Sequence, residues 1–327
     1  MKYRLRSLGI VVLGIVVLLL FLLFFPFARH NTTIYTVNKG TTAGTVASDL
    51  KARGVIHSRY LFLGFLILEG QEKSIQDGEY EFPSIISLQG VINKLVEGKV
   101  ILHPLAIIPG MTFDELYQNL ENDPNLLHTL QHQSQKAIAA RLGLPYANIE
   151  GLFLANTYFF RKNETDLAVL QDIYAQSDAL IEAQWQQRQT GNIYQNWYQA
   201  LIVASMIQKE SSASYPDQVQ ISGVIYRRLQ KNMRLQIDPT VIYALGNRYK
   251  GNLTSKDLYF NSPYNTYRHR GLPPTPIAYV SISVLHAALH PAEGDALYFV
   301  AKKGEGIHVF SSQLSSHDEA IKKYLIQ

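Results

Sequence analysis

Three stretches of this 327-residue sequence carry side chains with chemistry to offer. The first is Ala204-Ser205-Met206-Ile207-Gln208-Lys209-Glu210. Val203, Met206 and Ile207 lie seven, four and three residues before Glu210, so helical spacing sets this carboxyl on their apolar face. Desolvation there raises a carboxyl from about 4.3 toward 6 or higher and keeps it protonated near neutral pH. Such a group is a general acid of the kind used in glycoside cleavage. The same residue also reads as a solvated or capping side chain at a helix end. The second stretch is Leu235-Gln236-Ile237-Asp238-Pro239-Thr240, where Asp before Pro predicts a helix start with Asp238 as N-cap, beside a cleft or merely structural. The third is Ser262-Pro263-Tyr264-Asn265-Thr266-Tyr267, followed by Gly271-Leu272-Pro273-Pro274. Rigid aromatic faces beside short hydrogen-bonding groups suit a sugar, and a buried structural loop is the equal alternative.

Other chemistries fare worse. The chain has no cysteine, which excludes disulfides, thiolate zinc sites, iron–sulfur clusters and a cysteine nucleophile. His286 and His290 stand four apart on an expected helix, but lack the Glu of an H-E-x-x-H site and an evident third ligand. Serine-hydrolase elbows, phosphate loops and dinucleotide fingerprints are absent, so no cofactor and no metal is expected. Lys2, Arg4, Arg6 and Arg29 hold the whole basic excess, and setting them aside leaves 26 basic against 26 acidic residues. A formally neutral body argues against nucleic acid as a partner.

These groups need elements to hold them. Leu8 to Phe25 is an unbroken run without a polar side chain, about 27 Å long as a helix. With Lys2, Arg4 and Arg6 before it and no small-residue cleavage pattern after it, it reads as an uncleaved single-pass anchor. The N-terminus would then be cytoplasmic and the body exported, on the outer side of the cytoplasmic membrane. Next, Ile34–Val37 reads as a strand, Val46–Ala52 as a helix stopped by Gly54, Ser58–Glu69 as a second helix and Glu79–Phe82 as a strand. A helix over 87–100 closes this small α+β module. Residues 110–185 read mostly as helix, broken near Leu144-Pro145 and over 151–160. Further helices are expected over 196–212, 217–231, after Asp238-Pro239 and over 283–289, then strands over 296–302 and 308–311.

Taken together and in order, the stretches 204–210, 235–243, 264–267 and 271–274, with Leu297-Tyr298-Phe299-Val300 and His308-x-Phe310, resemble the MltG-type, or YceG-like, family of endolytic murein transglycosylases. The resemblance covers nearly the whole chain. It implies an α+β fold class: a single-pass transmembrane helix, a small LysM-like module and a larger mixed helix/strand YceG-like catalytic domain. The corresponding boundaries are 1–7 cytoplasmic, 8–27 transmembrane, 28–33 tether, 34–100 module and 101–327 catalytic. Glu210 is by this resemblance the catalytic acid/base, and Gln236, Asp238, Tyr264, Asn265, Thr266 and Tyr267 border the glycan cleft. Relatives often carry a second Glu two residues earlier, where this chain has Gln208. It departs also at Ala155-Asn156-Thr157-Tyr158 and over Thr275–Ser281.

The implied reaction cuts the MurNAc–GlcNAc bond inside nascent peptidoglycan strands. One carboxyl suffices, because the 6-hydroxyl of the sugar attacks its own C1 and closes a 1,6-anhydro ring. The implied partners are glycan strands, the cytoplasmic membrane and peptidoglycan synthases (penicillin-binding proteins), with glycan elongation ended as the outcome. A muramidase-type hydrolase and a non-catalytic, wall-binding or synthase-tethering protein are the alternatives.

Overall fold

The computed structural model describes residues 2–210 and 214–324. In chain order it contains α1 (Lys2–Phe24), β1 (Phe27–Ala28), β2 (Thr33–Val37), α2 (Ala43–Ala52), α3 (Arg59–Leu68), β3 (Gly78–Phe82), β4 (Ile85–Ile86) and α4 (Leu88–Val96). Then come β5 (Leu102–Ile107), α5 (Phe113–Asn122), β6 (Leu126–Leu127), α6 (Gln135–Arg141), β7 (Asn156–Arg161), β8 (Glu164–Thr165) and α7 (Asp166–Gln186). The remainder is α8 (Trp197–Glu210), α9 (Tyr215–Gln230), α10 (Asp238–Leu245), α11 (Ile282–Leu289), β9 (Tyr298–Ala301), β10 (His308–Ser311) and α12 (Leu314–Tyr324). The chain divides into two compact units, 1–103 with 159–164, and 104–158 with 165–327.

In the first unit β2 and β3 pair antiparallel, with Tyr35 opposite Tyr80. Alternation along both strands sends Tyr35, Val37, Tyr80 and Phe82 inward, where they meet Val46 and Leu50 of α2, Phe62 and Leu66 of α3, and Val91, Ile92 and Leu95 of α4. Thr42, Ser58 and Ser87 accept the N–H three residues on and so start the three helices. Lys162 Nζ lies 2.6 Å from the buried Glu79 carboxylate and compensates its charge.

One sequence expectation is corrected here. The run from Leu8 to Phe25 was read as a membrane-spanning helix over 8–27, but among the described residues no helix is long and apolar enough to cross a membrane. The helix takes in Lys2, Arg4 and Arg6 at one end and stops at Phe24 at the other. Its last turn gives one residue to the protein: Leu23 is buried in the module's core, while Phe21, Leu22 and Phe24 stay exposed, and after the helix Phe27 and Ala28 pair with Ile86 and Ile85 of β4. The fold is therefore a mixed α/β one without a demonstrated transmembrane helix. Placement in the cytoplasmic membrane with an internal N-terminus, which rested on that helix, falls with it.

The second unit is built round α8. Every residue from Ala200 to Ile207 is buried, because α9, α10 and α11 all pack against this helix. A helix apolar all round is a core helix, so its periodicity does not say which way its end points. Ser205 Oγ donates to Ile202 O and accepts the N–H of Ile277 at 3.0 Å, which ties the segment after Pro274 to the helix. The predicted end of this helix at Ser212 lies outside the described residues. α9 starts at Tyr215, two residues earlier than expected, and this puts Asp217 in its first turn as a buried side chain. β9 and β10 form an antiparallel hairpin with His308 opposite Ala301.

Candidate active site

Glu210 is the last residue of α8, where the helix leaves the core for a cavity of about 500 Å³. Burial raises its carboxyl pKa to about 8, and the negative charge of Asp238 pushes in the same direction. At pH 7 the acid is thus mostly protonated. Gln208, where relatives often have Glu, faces elsewhere: its Oε1 accepts the Ser281 N–H at 3.1 Å and hydroxyl at 3.3 Å, at the start of α11.

Asp238 is not the expected N-cap. Ile237 occupies that position and Asp238 is the first residue of α10, with no capping bond from its side chain. Its carboxylate instead accepts a short hydrogen bond from the Tyr267 hydroxyl. Burial raises the Tyr267 pKa first, and Asp238 and Glu210 add to the rise by disfavouring a third negative charge. Gln236 has φ of +54°, a left-handed backbone costing about 1–3 kcal/mol for a residue with a side chain. Its N–H donates to Thr266 O at 3.2 Å, and its Oε1 lies 3.3 Å from Arg228 Nη1. Strain held by surrounding bonds beside a cavity is the pattern of a positioned functional residue.

Of the predicted residues, Glu210, Gln236, Asp238 and Tyr267 line this one cavity. Asn265 and Thr266 do not line it; both are buried and hold the loop in place. Asn265 Nδ2 donates to Leu258 O and Phe260 O, and its Oδ1 accepts the Tyr267 N–H at 3.0 Å. Thr266 Oγ1 accepts the Ile237 N–H at 3.0 Å and bonds Thr240 Oγ1 at 2.9 Å, which clamps the loop to the start of α10. Tyr264 also lies outside the cavity lining, with its hydroxyl 2.8 Å from Thr275 Oγ1 and its ring against Tyr243. Of the predicted sugar loop, Tyr267 alone among these four residues reaches the cavity, and the other three are scaffold.

A second wall of the cavity comes from β9, β10 and α12. Arg228 is buried there, with Nε on Leu297 O at 2.6 Å, Nη1 on Leu235 O at 2.6 Å, and the guanidinium over the Tyr298 ring. His317 stacks on the same ring, and burial together with the Arg228 charge lowers its pKa. His308 is clasped by Asp217, whose carboxylate accepts the His308 backbone N–H at 2.9 Å and faces Nδ1 at 2.7 Å.

Sequence reasoning missed Asp217, Arg228 and the partnership of His308, and it missed Glu150. Glu150 is a buried acid that accepts the Phe113 N–H at 2.8 Å and the Tyr243 hydroxyl at 3.2 Å. Burial raises its pKa to about 8 against the lowering effect of those two bonds. A lone acid in Ile149-Glu150-Gly151-Leu152-Phe153-Leu154 was the available signal. It ties α5 to α10 and lines a separate cavity of about 750 Å³ with Asp114, Glu115 and Lys209. His286 and His290 stack at 4.0 Å, and both ring nitrogens of His290 lie 2.9 Å from carbonyl oxygens, of His286 and Gln187. No ring nitrogen of His290 is left for a ligand. The two segments that depart from the family pattern meet: Leu154 bridges Val280, and the Ala155 N–H donates to Val280 O at 2.8 Å.

Comparison with known proteins shows the family of the chain. The sequence profile of the YceG-like family matches residues 35–323. The endolytic murein transglycosylase of Bacillus subtilis (strain 168) is 29% identical over 320 residues, covering 92% of this chain and 87% of that protein. The endolytic murein transglycosylase of Streptococcus pneumoniae serotype 2 is 23% identical over 334 residues, and the match spans 60% of that longer protein. The crystal structure of a yceG-like protein from Listeria monocytogenes aligns with a TM-score of 0.55 at 26% identity, covering 90% of this chain and all of that one.

Proposed function

This chain belongs to the YceG-like family, and from that premise we propose that it is a lytic murein transglycosylase with Glu210 as its general acid/base. The observation that carries the reading is a carboxyl with a pKa near 8 at the wall of a roomy cavity, next to Asp238 and Tyr267. Glu210 protonates the leaving glycosidic oxygen of a MurNAc–GlcNAc bond within a strand. Once ionised, it takes the proton of the 6-hydroxyl as that oxygen closes on C1. Intramolecular attack needs no bound water and benefits from a high effective concentration. Asp238 holds Glu210 protonated and fixes the Tyr267 hydroxyl, while Gln236 and Tyr267 line the sugar's path.

Residues 34–100 serve in this reading as a LysM-like module and residues 101–327 as the catalytic domain. Ending glycan elongation beside peptidoglycan synthases is the corresponding physiological role. The test is mass spectrometry of glycan products made by the full chain and by its Glu210→Gln variant. Ends lighter by one water, formed by the wild type and absent with the variant, support the lytic reaction and its acid. Hydrated reducing ends make the protein a hydrolase. Strands bound but left intact by the wild type favour a tether, and a folded variant cutting at the wild-type rate overturns the role of Glu210.

A further inference from the structure

A single carboxyl leaves one demand of this reaction unmet. When the C1–O bond breaks, positive charge develops at C1, and the 2-acetamido group beside it is the nearest nucleophile able to share that charge. Its carbonyl oxygen can close on C1 only if the amide is held in place, and its N–H becomes more acidic as the ring forms. A fixed hydrogen-bond acceptor for that N–H is therefore worth more in the transition state than in the ground state.

The cavity holds such an acceptor on the wall made by β9, β10 and α12. Asp217 grips His308 at two points, 2.9 Å from its backbone nitrogen and 2.7 Å from Nδ1, and both side chains are about 5% exposed. A carboxylate only accepts, so Nδ1 carries a ring hydrogen, and the Nδ1–H tautomer presents Nε2 as a lone pair. His308 lines the same cavity as Glu210, and among the described residues no protein group hydrogen-bonds Nε2. The Phe299 ring stands edge-on to the imidazole and limits its rotation. An imidazole fixed at three points on the wall of the cavity that Glu210 lines is placed to meet a bound sugar.

We propose that His308, oriented by Asp217, accepts the N–H of the substrate's 2-acetamido group and is a second catalytic residue of the cavity. This rests on the lytic reading of Glu210. In the first step the acetamido oxygen bonds to C1 as the bond to the leaving sugar breaks, and the leaving oxygen takes the proton of Glu210. The N–H stays on the resulting oxazolinium ring, hydrogen-bonded to Nε2. In the second step the 6-hydroxyl oxygen bonds to C1, the acetamido oxygen departs, and the hydroxyl proton passes to the Glu210 carboxylate. Both protein groups end as they began. Asp217 acts through His308 and is a positioning residue.

The test uses the full chain, peptidoglycan strands, and a thiazoline derivative of N-acetylmuramic acid as a stable mimic of the cyclic intermediate. His308→Asn keeps an N–H for Asp217 at the place of Nδ1 but leaves no acceptor at the place of Nε2, so a merely structural clasp survives it. The expected result is a kcat lower by about 10²-fold with KM changed less than about threefold, and thiazoline binding weakened in parallel. Asp217→Asn turns the amide toward Nδ1, moves the ring hydrogen to Nε2 and makes the acceptor a donor, so the same pattern is expected without deleting the imidazole. A folded variant of either kind with wild-type kcat and wild-type thiazoline affinity overturns the proposal. If wild type itself forms no 1,6-anhydro ends, the lytic reading has failed instead.

Discussion

Replacing Glu210 by Gln should abolish cleavage and at the same time make the protein more stable at neutral pH. The reason lies in the same burial that serves catalysis. In the folded chain the carboxyl titrates near 8, against an ordinary 4.5 in the unfolded chain. Because the folded value is the higher one, the folded state binds this proton more tightly. Below about pH 4.5 both states are protonated and nothing is lost. As the pH rises from 4.5 toward 8 the unfolded state gains by ionising while the folded state does not, so stability falls until the folded group also ionises. At pH 7 the loss relative to a group that never ionises is roughly 3 kcal/mol. Part of the side chain meets solvent in the cavity, and screening there reduces the expected figure to about 1–2 kcal/mol. Glutamine has nearly the shape of the neutral acid and escapes the penalty. For a domain of this size the gain corresponds to a melting temperature about 2–8 °C above wild type at pH 7. Differential scanning calorimetry of both proteins at pH 4, 6 and 8 reads the difference directly, and the similarly raised Glu150 cancels because both proteins contain it. The offset should be absent near pH 4 and grow with pH. An inactive variant that is no more stable at pH 7, or one whose offset is the same at pH 4 and pH 8, would refute the claim that Glu210 is held protonated by burial.

Other expectations follow from the same cavity and its scaffold. Asp238→Asn removes the charge that helps raise the Glu210 pKa, so the alkaline limb of kcat/KM should move below pH 8, and an unmoved limb counts against the pairing. Thr266→Val leaves the buried Ile237 N–H without its acceptor at 3.0 Å and should cost about 1–3 kcal/mol in urea denaturation; a neutral effect would mean the loop is not clamped there. Gly151→Ala combines a backbone φ of +74° with a Cβ 2.3 Å from Pro276 Cβ, and should destabilise the fold by about 2–3 kcal/mol in the same assay. A stable Gly151→Ala protein would show that the segment around Pro276 yields more easily than its packing implies.

Much was legible in the sequence because it is local. Helix starts at Thr42, Ser58 and Ser87 follow from a short polar side chain before an apolar periodic run, and the strands at 33–37 and 78–82 follow from alternation. Glu210 stood out because Val203, Met206 and Ile207 precede it at helical spacing, and its motifs keep family order along the chain. What the sequence could not decide depends on groups distant along it. α8 is buried on all sides, so only the packing of α9, α10 and α11 shows that its end opens on a cavity. Asp238 resembled a cap until Tyr267, 29 residues on, supplied the competing hydrogen bond. Asn265 and Thr266 turned inward because the backbone groups of Leu258, Phe260 and the buried Ile237 N–H take their side chains as partners. Asp217 and His308 are 91 residues apart, and although His308-x-Phe310 belongs to the family pattern, nothing local pairs the two. The apolar run near the N-terminus announced a span, yet in the fold its Leu23 enters the protein's own core and the residues just after it form β1. Apolarity marks such a segment as one that avoids water; only the tertiary structure shows which of its residues the protein's own core takes up, here Leu23.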